Sequence, residues 1–279
     1  MIDVAIATNR LAEDSDEPAL TEALAREGVR AVLAAWDDED VDWASFAATV
    51  IRSTWDYPLR YDEFVAWART VERLVNPGDV VVWNADKRYL DDLAARGVPT
   101  IATTYAQRGA DASFPVGDFV VKPTVGGGSR GAKRFAPGDL DAARTHVDSL
   151  ADQGRLAMIQ PYVETVATLG ETDVVVIDGE VSHAVRKHAP INLEATAAPA
   201  GPVSVERVTP SDAEHAAVAA TLAAVPFASP LCFARVDLVA IASGPAVIEV
   251  ELIEPFLFLE HGDTAADRLA RAIARRARR

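Results

Sequence analysis

Cysteine is almost missing from this chain: Cys232 is the only one among 279 residues. A single thiol excludes an internal disulfide framework and any zinc site built on several cysteines. Long apolar runs are missing too. Nothing approaches the 18 or so residues of a membrane-spanning helix, so no span and no membrane partner are expected. The opening, Met1 to Thr8, is apolar but too short and too acidic for a secretory signal, which makes the cytoplasm the expected compartment. Positive charge is scarce: 27 Lys and Arg stand against 42 Asp and Glu, a formal net charge of -15. Binding nucleic acid requires basic residues to neutralise phosphates, so that partner is not expected. A local basic pocket for a small phosphorylated ligand remains compatible with this balance.

What is present is ordinary for a globular protein: 49% hydrophobic and 25% charged residues. The length allows one large domain or two to three small ones sharing a site. The first part alternates strand-like and helix-like segments. Strands are predicted at Asp3 to Thr8, Val29 to Ala35, Thr49 to Arg52 and Val80 to Trp83. Helices are predicted at Glu17 to Glu27, closed by Gly28, and at Tyr61 to Leu74. That alternation predicts a parallel α/β sheet. A β-loop-β-α-β unit follows, from Phe119 to Gln160. The last part reads as α+β, with hairpins turning at Asp178-Gly179 and Ser243-Gly244-Pro245 and a closing helix from Asp263.

Gly126, Gly128 and Gly131 match the spacing of a dinucleotide-binding loop. That fold needs a helix directly after the loop, and here a strand-like piece follows. The P-loop pattern fails as well, because Ala132 and Lys133 follow Gly131. A glycine flap between two strands survives. Its backbone amides, at Gly126, Gly127, Gly128 and Ser129, can approach phosphates closely, and Arg130 and Lys133 add charge. The competing reading is a surface hairpin without a ligand.

Residues i and i+2 of a strand share a face, so Glu249 and Glu251 point the same way. A hairpin brings Asp237 beside them. Three carboxylates on one face repel unless a cation joins them, and oxygen ligands of this kind suit Mg²⁺. An exposed polar hairpin face is the plainer alternative. Arg186 and Lys187 end the hairpin that turns at Asp178-Gly179, Arg235 sits two residues before Asp237, and all three suit stabilisation of a transferring phosphoryl group. Arg52, Ser53, Trp55, Asp56 and Tyr57 follow a strand, where α/β folds place ligand loops, and are candidates for binding substrate. The alternative there is a structural Arg52–Asp56 ion pair. The five histidines are scattered and read as structural, Cys232 as core, and the arginine-rich end as complementing a helix C-terminus.

Taken in order, Lys122 after a strand, the glycine flap, Gln160-Pro161-Tyr162-Val163-Glu164 and the Asp237/Glu249/Glu251 set resemble the ATP-grasp superfamily. Arg52 to Tyr57, Trp83-Asn84 with Lys87, His183 to Lys187 and Glu249 to Pro255 look like its D-cycloserine-synthetase-like branch, akin to the RimK and glutathione-synthetase group. The resemblance implies an ATP-grasp fold in three parts. These are a substrate-side α/β domain at 1–84, a central subdomain with the flap at 85–163, and a C-terminal subdomain with the Mg²⁺ hairpin at 164–279. It implies that Lys87 and Lys122 contact the nucleotide, that Gln160 to Val163 line the adenine edge, and that Glu164 lies near the ribose. It also implies an ADP-forming ligase or cyclase acting on a small amino-acid-like substrate, as in antibiotic biosynthesis, with ATP and Mg²⁺. Many members carry Asn where Glu251 stands here. A small-molecule kinase or a nucleotide sensor on the same site are the rival functions. A homodimer is a base-rate expectation.

Overall fold

Four short apolar runs build the first sheet. In this computed structural model, which describes residues 2–10, 14–109, 112–188, 204–227 and 230–279, they are β1 (Ile2–Thr8), β2 (Val29–Ala35), β3 (Ala48–Ile51) and β4 (Leu74–Val75). All pair in parallel, in the order β2-β1-β3-β4. A parallel sheet covered on both faces needs nearly continuous apolar strands, and β3 is buried at every residue. Helix α1 (Glu17–Arg26) has Pro18 in its first turn and gives way to Gly28, whose φ of 74° lets the chain reverse into β2.

Two expectations in this region are corrected. Helix α2 covers Tyr61–Thr70 and stops short of Leu74, because Val71 turns extended and the chain then pairs Leu74 and Val75 with β3. Val80 to Trp83 is not a strand but lies within helix α3 (Gly78–Asn84). The β-branched run favours a strand locally, yet Val80 and Val81 are buried in two different cores. A helix reaches both at once, and tertiary packing overrides propensity.

Helix α4 (Tyr89–Ala95) leads to the central sheet of β5 (Thr104–Ala106), β6 (Phe119–Pro123), β7 (Lys133–Phe135) and β8 (Ala157–Pro161). It is antiparallel, in the order β5-β8-β6-β7. Helix α5 (Leu140–Asp152) buries Ala143, Val147 and Leu150, at helical spacing, against Phe119, Val121 and Phe135. The short helix α6 (Thr165–Thr168) then enters the last sheet: β9 (Glu171–Ile177), β10 (Glu180–His188), β11 (Ser204–Val208), β12 (Phe233–Ile241) and β13 (Gly244–Glu251). These five run antiparallel in the order β11-β10-β9-β12-β13. Asp178 and Gly179, both at positive φ, make the β9–β10 turn. Helix α7 (Asp212–Ala224) starts with a reciprocal Ser211–Glu214 capping box. Helix α8 (Ala265–Ala277) packs Leu269 and Ile273 with Val4, Ile6 and Val50 of the first sheet and Val175 and Phe233 of the last. It thereby ties the two ends of the chain together.

β13 is the edge of its sheet, and its outer backbone groups are met by side chains and loops from elsewhere. Asn84 donates to the Val250 carbonyl and accepts from Leu252 N–H, both at 2.8 Å. Tyr89 Oη accepts from Val250 N–H at 2.9 Å. Asn76 donates to the carbonyls of Phe233 and Leu252, both at 2.9 Å, and accepts from Cys232 N–H at 2.8 Å. Pro99 and Ile101 complete the edge at Val247. Truncating Asn84 would leave a buried donor and acceptor unmet, each costing roughly 1–3 kcal/mol. Asn84→Ala is therefore expected to lose about 2–4 kcal/mol of unfolding free energy, read by urea denaturation against the unsubstituted protein. A change below about 0.5 kcal/mol, the size of an ordinary surface substitution, would contradict this account of the edge.

Candidate active site

The strand period of two sorts the last sheet into an apolar and a charged face. Thr172, Val174, Val236, Leu238 and Val250 look toward α7 and α4. Glu171 and Asp173 of β9, Lys187 of β10, Arg235 and Asp237 of β12, and Glu249 and Glu251 of β13 share the other face. The register sets Asp237 opposite both Asp173 and Glu249, and Arg235 opposite Glu251. Most of this face opens into a cavity of about 970 Å³. The opposing wall carries Lys87, Lys122, the glycine loop, and Gln160 to Val163, and the rim carries Trp55, Asp56 and Tyr57.

The charges are paired but not balanced. Arg235 grips Asp237 with two hydrogen bonds, at 2.7 and 2.8 Å, and reaches Glu251 at 2.5 Å. Lys187 Nζ lies 2.9 Å from Glu171 and 3.0 Å from Asp173. Lys87 Nζ sits 3.0 Å from Glu249 and also donates to the Gly126 carbonyl, tying the flap to β13. Burial pushes Asp237 up, but Arg235 and Lys187 outweigh it and hold the carboxyl below its ordinary value. Burial raises Asp173 and Glu251 each to about 7 in spite of their cationic neighbours. Burial, and after it repulsion from Glu251, raises Glu254 as well. Lys122 goes the other way: burial lowers its ammonium and the Lys87 charge adds to that, against the pull of Glu249.

Oxygens of Asp237, Glu249 and Glu251 lie within 4.8 Å of one another, as do those of Glu171, Asp173 and Asp237. Lys187 bridges Glu171 and Asp173 of the second set, while Arg235 and Lys87 hold the first. All three residues of the first set line the cavity, where Glu249 and Glu251 are only half-buried. Hard oxygen donors in that state fit a divalent cation such as Mg²⁺.

The structure gathers most of the expected residues and separates others. Gly126, Gly127, Gly128, Ser129, Arg130, Gln160, Pro161, Tyr162 and Val163 line the cavity with Lys87 and Lys122. Glu164 does not: it is exposed and 3.3 Å from Arg134. Arg186 lies apart from the others. It neighbours Lys187 in a strand and so faces the opposite side, where it donates to the Leu169 carbonyl at 3.3 Å. Arg52 and Ser53 do not line the cavity, and both are buried. Arg52, 1% exposed, donates to Asp14 at 3.1 and 2.8 Å and reaches Asp16 at 3.5 Å. Asp56 accepts from Trp36 Nε1 at 3.1 Å instead of pairing with Arg52. Asp16 in turn accepts from Leu257 and Leu259 N–H, both at 2.8 Å, so the Arg52 network shapes the segment after β13. Glu171, Asp173 and Glu254 were missed by sequence reasoning. Glu171 and Asp173 carry the same i, i+2 acidic signal as Glu249 and Glu251.

A family model described as the N-terminal domain of D-cycloserine synthetase DcsG matches residues 4–76. The cycloserine biosynthesis protein DcsG of Streptomyces lavendulae is 40% identical over 282 residues, covering 94% of each chain. The chain belongs to the D-cycloserine synthetase family. A crystal structure of D-cycloserine synthetase DcsG superposes with a TM-score of 0.92 at 38% identity, covering 99% of both chains. More distant structures share the fold alone. A D-alanine–D-alanine ligase from Bacillus anthracis matches at a TM-score of 0.71 and 15% identity, over 99% of this chain and 97% of that one. The ATP-grasp ligase PsnB, solved with a precursor variant, Mg and ADP, matches at 0.63 and 18%, over 99% of each. This D-cycloserine synthetase relative thus has the ATP-grasp fold and is a ligase of that class. Among the described residues no helix is long and apolar enough to cross a membrane.

The burial of Arg52 separates a structural from a substrate-contacting role. Arg52→Met leaves Asp14 and Asp16 buried without their cation, and breaking such a pair costs roughly 3–5 kcal/mol. The expected result is a loss of that size in chemical denaturation. Unchanged stability with a raised substrate KM would instead return Arg52 to the substrate site.

Proposed function

We propose that this protein closes a small amino-acid derivative, of the O-ureido-D-serine kind, into a ring at the expense of ATP, releasing ADP and phosphate. The observation that carries the reading is one cavity with two lysines and a glycine loop on one wall and the Asp237/Glu249/Glu251 set facing them, in a chain 40% identical to a cycloserine biosynthesis protein. The reading includes Mg²⁺ held by Asp237, Glu249 and Glu251, a role in antibiotic biosynthesis, a cytoplasmic setting, and the three-part division at residues 84 and 163. Small molecules are its expected partners.

When bound, Mg²⁺ supplies neutralisation of the triphosphate charge. Lys87 and Lys122 orient the phosphates from the opposite wall, and an arriving anion favours the charged form of Lys122 that burial disfavours. The glycine loop donates backbone amides and excludes water. Gln160 to Val163 receive the adenine edge. A substrate carboxylate oxygen bonds to the γ-phosphorus as the bond to the β,γ-bridging oxygen breaks, and ADP leaves. Arg235 and Lys187 offset the charge that develops there. A nitrogen of the same molecule then bonds to the acyl carbon, phosphate departs with the C–O electron pair, and the nitrogen gives up its proton. Trp55 and Tyr57 wall the substrate end, with Asp56 beside them. No covalent enzyme intermediate is needed, since positioning and electrostatics supply the rate enhancement.

The test is Mg²⁺-dependent release of ADP and phosphate across a panel of amino-acid derivatives that includes O-ureido-D-serine. One substrate should stimulate both, and the organic product should be cyclic. Glu249→Gln should lower kcat by about 10²-fold or more while the protein stays folded. A linear, joined product would replace cyclisation by ligation. ADP without free phosphate, or wild-type turnover in Glu249→Gln, would overturn the reading.

A further inference from the structure

Two arginines on the central subdomain reach across to the loop that follows β3. Arg130, on the glycine flap, donates to the Trp55 carbonyl. Arg155, just before β8, donates to the Pro58 carbonyl at 3.4 Å. Among the described residues neither forms an ion pair with a carboxylate. The two guanidinium groups are near enough that Arg155 is lowered first by burial and then by the Arg130 charge. Neutral backbone acceptors hold them, against their mutual repulsion. Such a contact is weaker than a carboxylate pair and so is suited to opening and closing.

The acceptor position is itself determined by the substrate end of the cavity. Trp55 Nε1 donates to the Glu254 carbonyl at 3.1 Å, and its ring packs on Phe256 at 4.6 Å. Residues 54–59 are wound by Tyr57 N–H to the Thr54 carbonyl, at 3.0 Å, and Leu59 N–H to the Asp56 carbonyl, at 2.9 Å. A backbone carbonyl reports where this loop lies, whatever side chains it carries. On the nucleotide side, the same flap is pinned by Lys87 to the Gly126 carbonyl.

We propose that Arg130 is a positioning residue that latches the nucleotide flap to the substrate loop, so that closure over ATP and seating of residues 53–59 are coupled. The inference rests on the nucleotide reading of the cavity. Coupling of this kind is reciprocal: whatever nucleotide does to the loop through the latch, loop ligands do to the flap. Its chemical use is to keep water from the activated intermediate until both halves of the site are in place.

The experiment is hydrogen exchange on the full chain with AMP-PNP and Mg²⁺. In the unsubstituted protein the analogue should slow exchange at the flap, 124–131, and at the loop, 53–59. In Arg130→Ala the slowing at 53–59 should shrink by roughly fivefold or more, the low end of ordinary coupling between sites. Slowing at the flap and β6 should persist. Arg130 is exposed, so the variant keeps its core, and Arg130→Lys, with one charged donor retained, should recover part of the effect. Equal protection of 53–59 with and without Arg130 overturns the latch, as does a loop indifferent to nucleotide in the unsubstituted protein. Both outcomes leave the nucleotide reading intact, because the flap and β6 still respond. No response anywhere along the cavity wall would remove that reading and the latch together.

Discussion

An edge strand cannot leave its outer backbone groups buried and unmet, and that constraint organises this protein around β13. The strand carries Glu249 and Glu251 into the cavity, so its register decides where two carboxylates stand. Asn84, Asn76 and Tyr89 close the edge with four hydrogen bonds between 2.8 and 2.9 Å, and Asn76 adds two more to Cys232 and Phe233 at the start of β12. All three side chains come from the stretch between the first and central sheets. The same side chains that satisfy the edge therefore hold three parts of the molecule in one relation. Lys87 leaves α3 close behind Asn84, which is why its ammonium arrives at Glu249.

The cavity is built from charges that are costly apart and tolerable together. Six carboxylates, at Glu171, Asp173, Asp237, Glu249, Glu251 and Glu254, meet Lys87, Lys122, Lys187 and Arg235 in partly dry surroundings. Buried charges that keep only part of their pairing stay poised for further counter-charges. Glu251 rises toward neutrality while Lys122 falls, so both signs of mismatch face the same space. On the reading proposed above, a phosphate chain with a divalent cation would answer both. That complementarity, fixed before a ligand arrives, is what electrostatic preorganisation requires.

Arg52 does for the Trp55 end of the cavity what the asparagines do for β13. Its guanidinium holds Asp14 and Asp16, and Asp16 receives two amides from the 257–259 segment. That segment follows directly from Glu254 and Phe256, against which Trp55 is seated. Helix α8 then returns to the first sheet and seals the assembly. The rim of the cavity is thus set by side chains that never reach it.

Much of the site was legible because strands have a strict period. Glu249 and Glu251 at i and i+2, with Asp237 across a hairpin, sufficed to place an acidic cluster on one face. The same period applied to β10 would have separated Lys187 from Arg186. It also would have added Glu171 and Asp173. The parallel first sheet, the flap between β6 and β7, and both hairpins followed from apolar runs and turn residues, which act locally. The sequence by itself thus determined the strands, the glycine loop and the family's ordered motifs. Only the tertiary structure decided that Val80 to Trp83 coil into α3, because two separate cores compete for those valines. Only it decided that Arg52 is buried and that Arg130 reaches the Trp55 carbonyl. These outcomes depend on partners 36 to 75 positions away, and no local pattern encodes which distant group will meet a charge once the chain has closed.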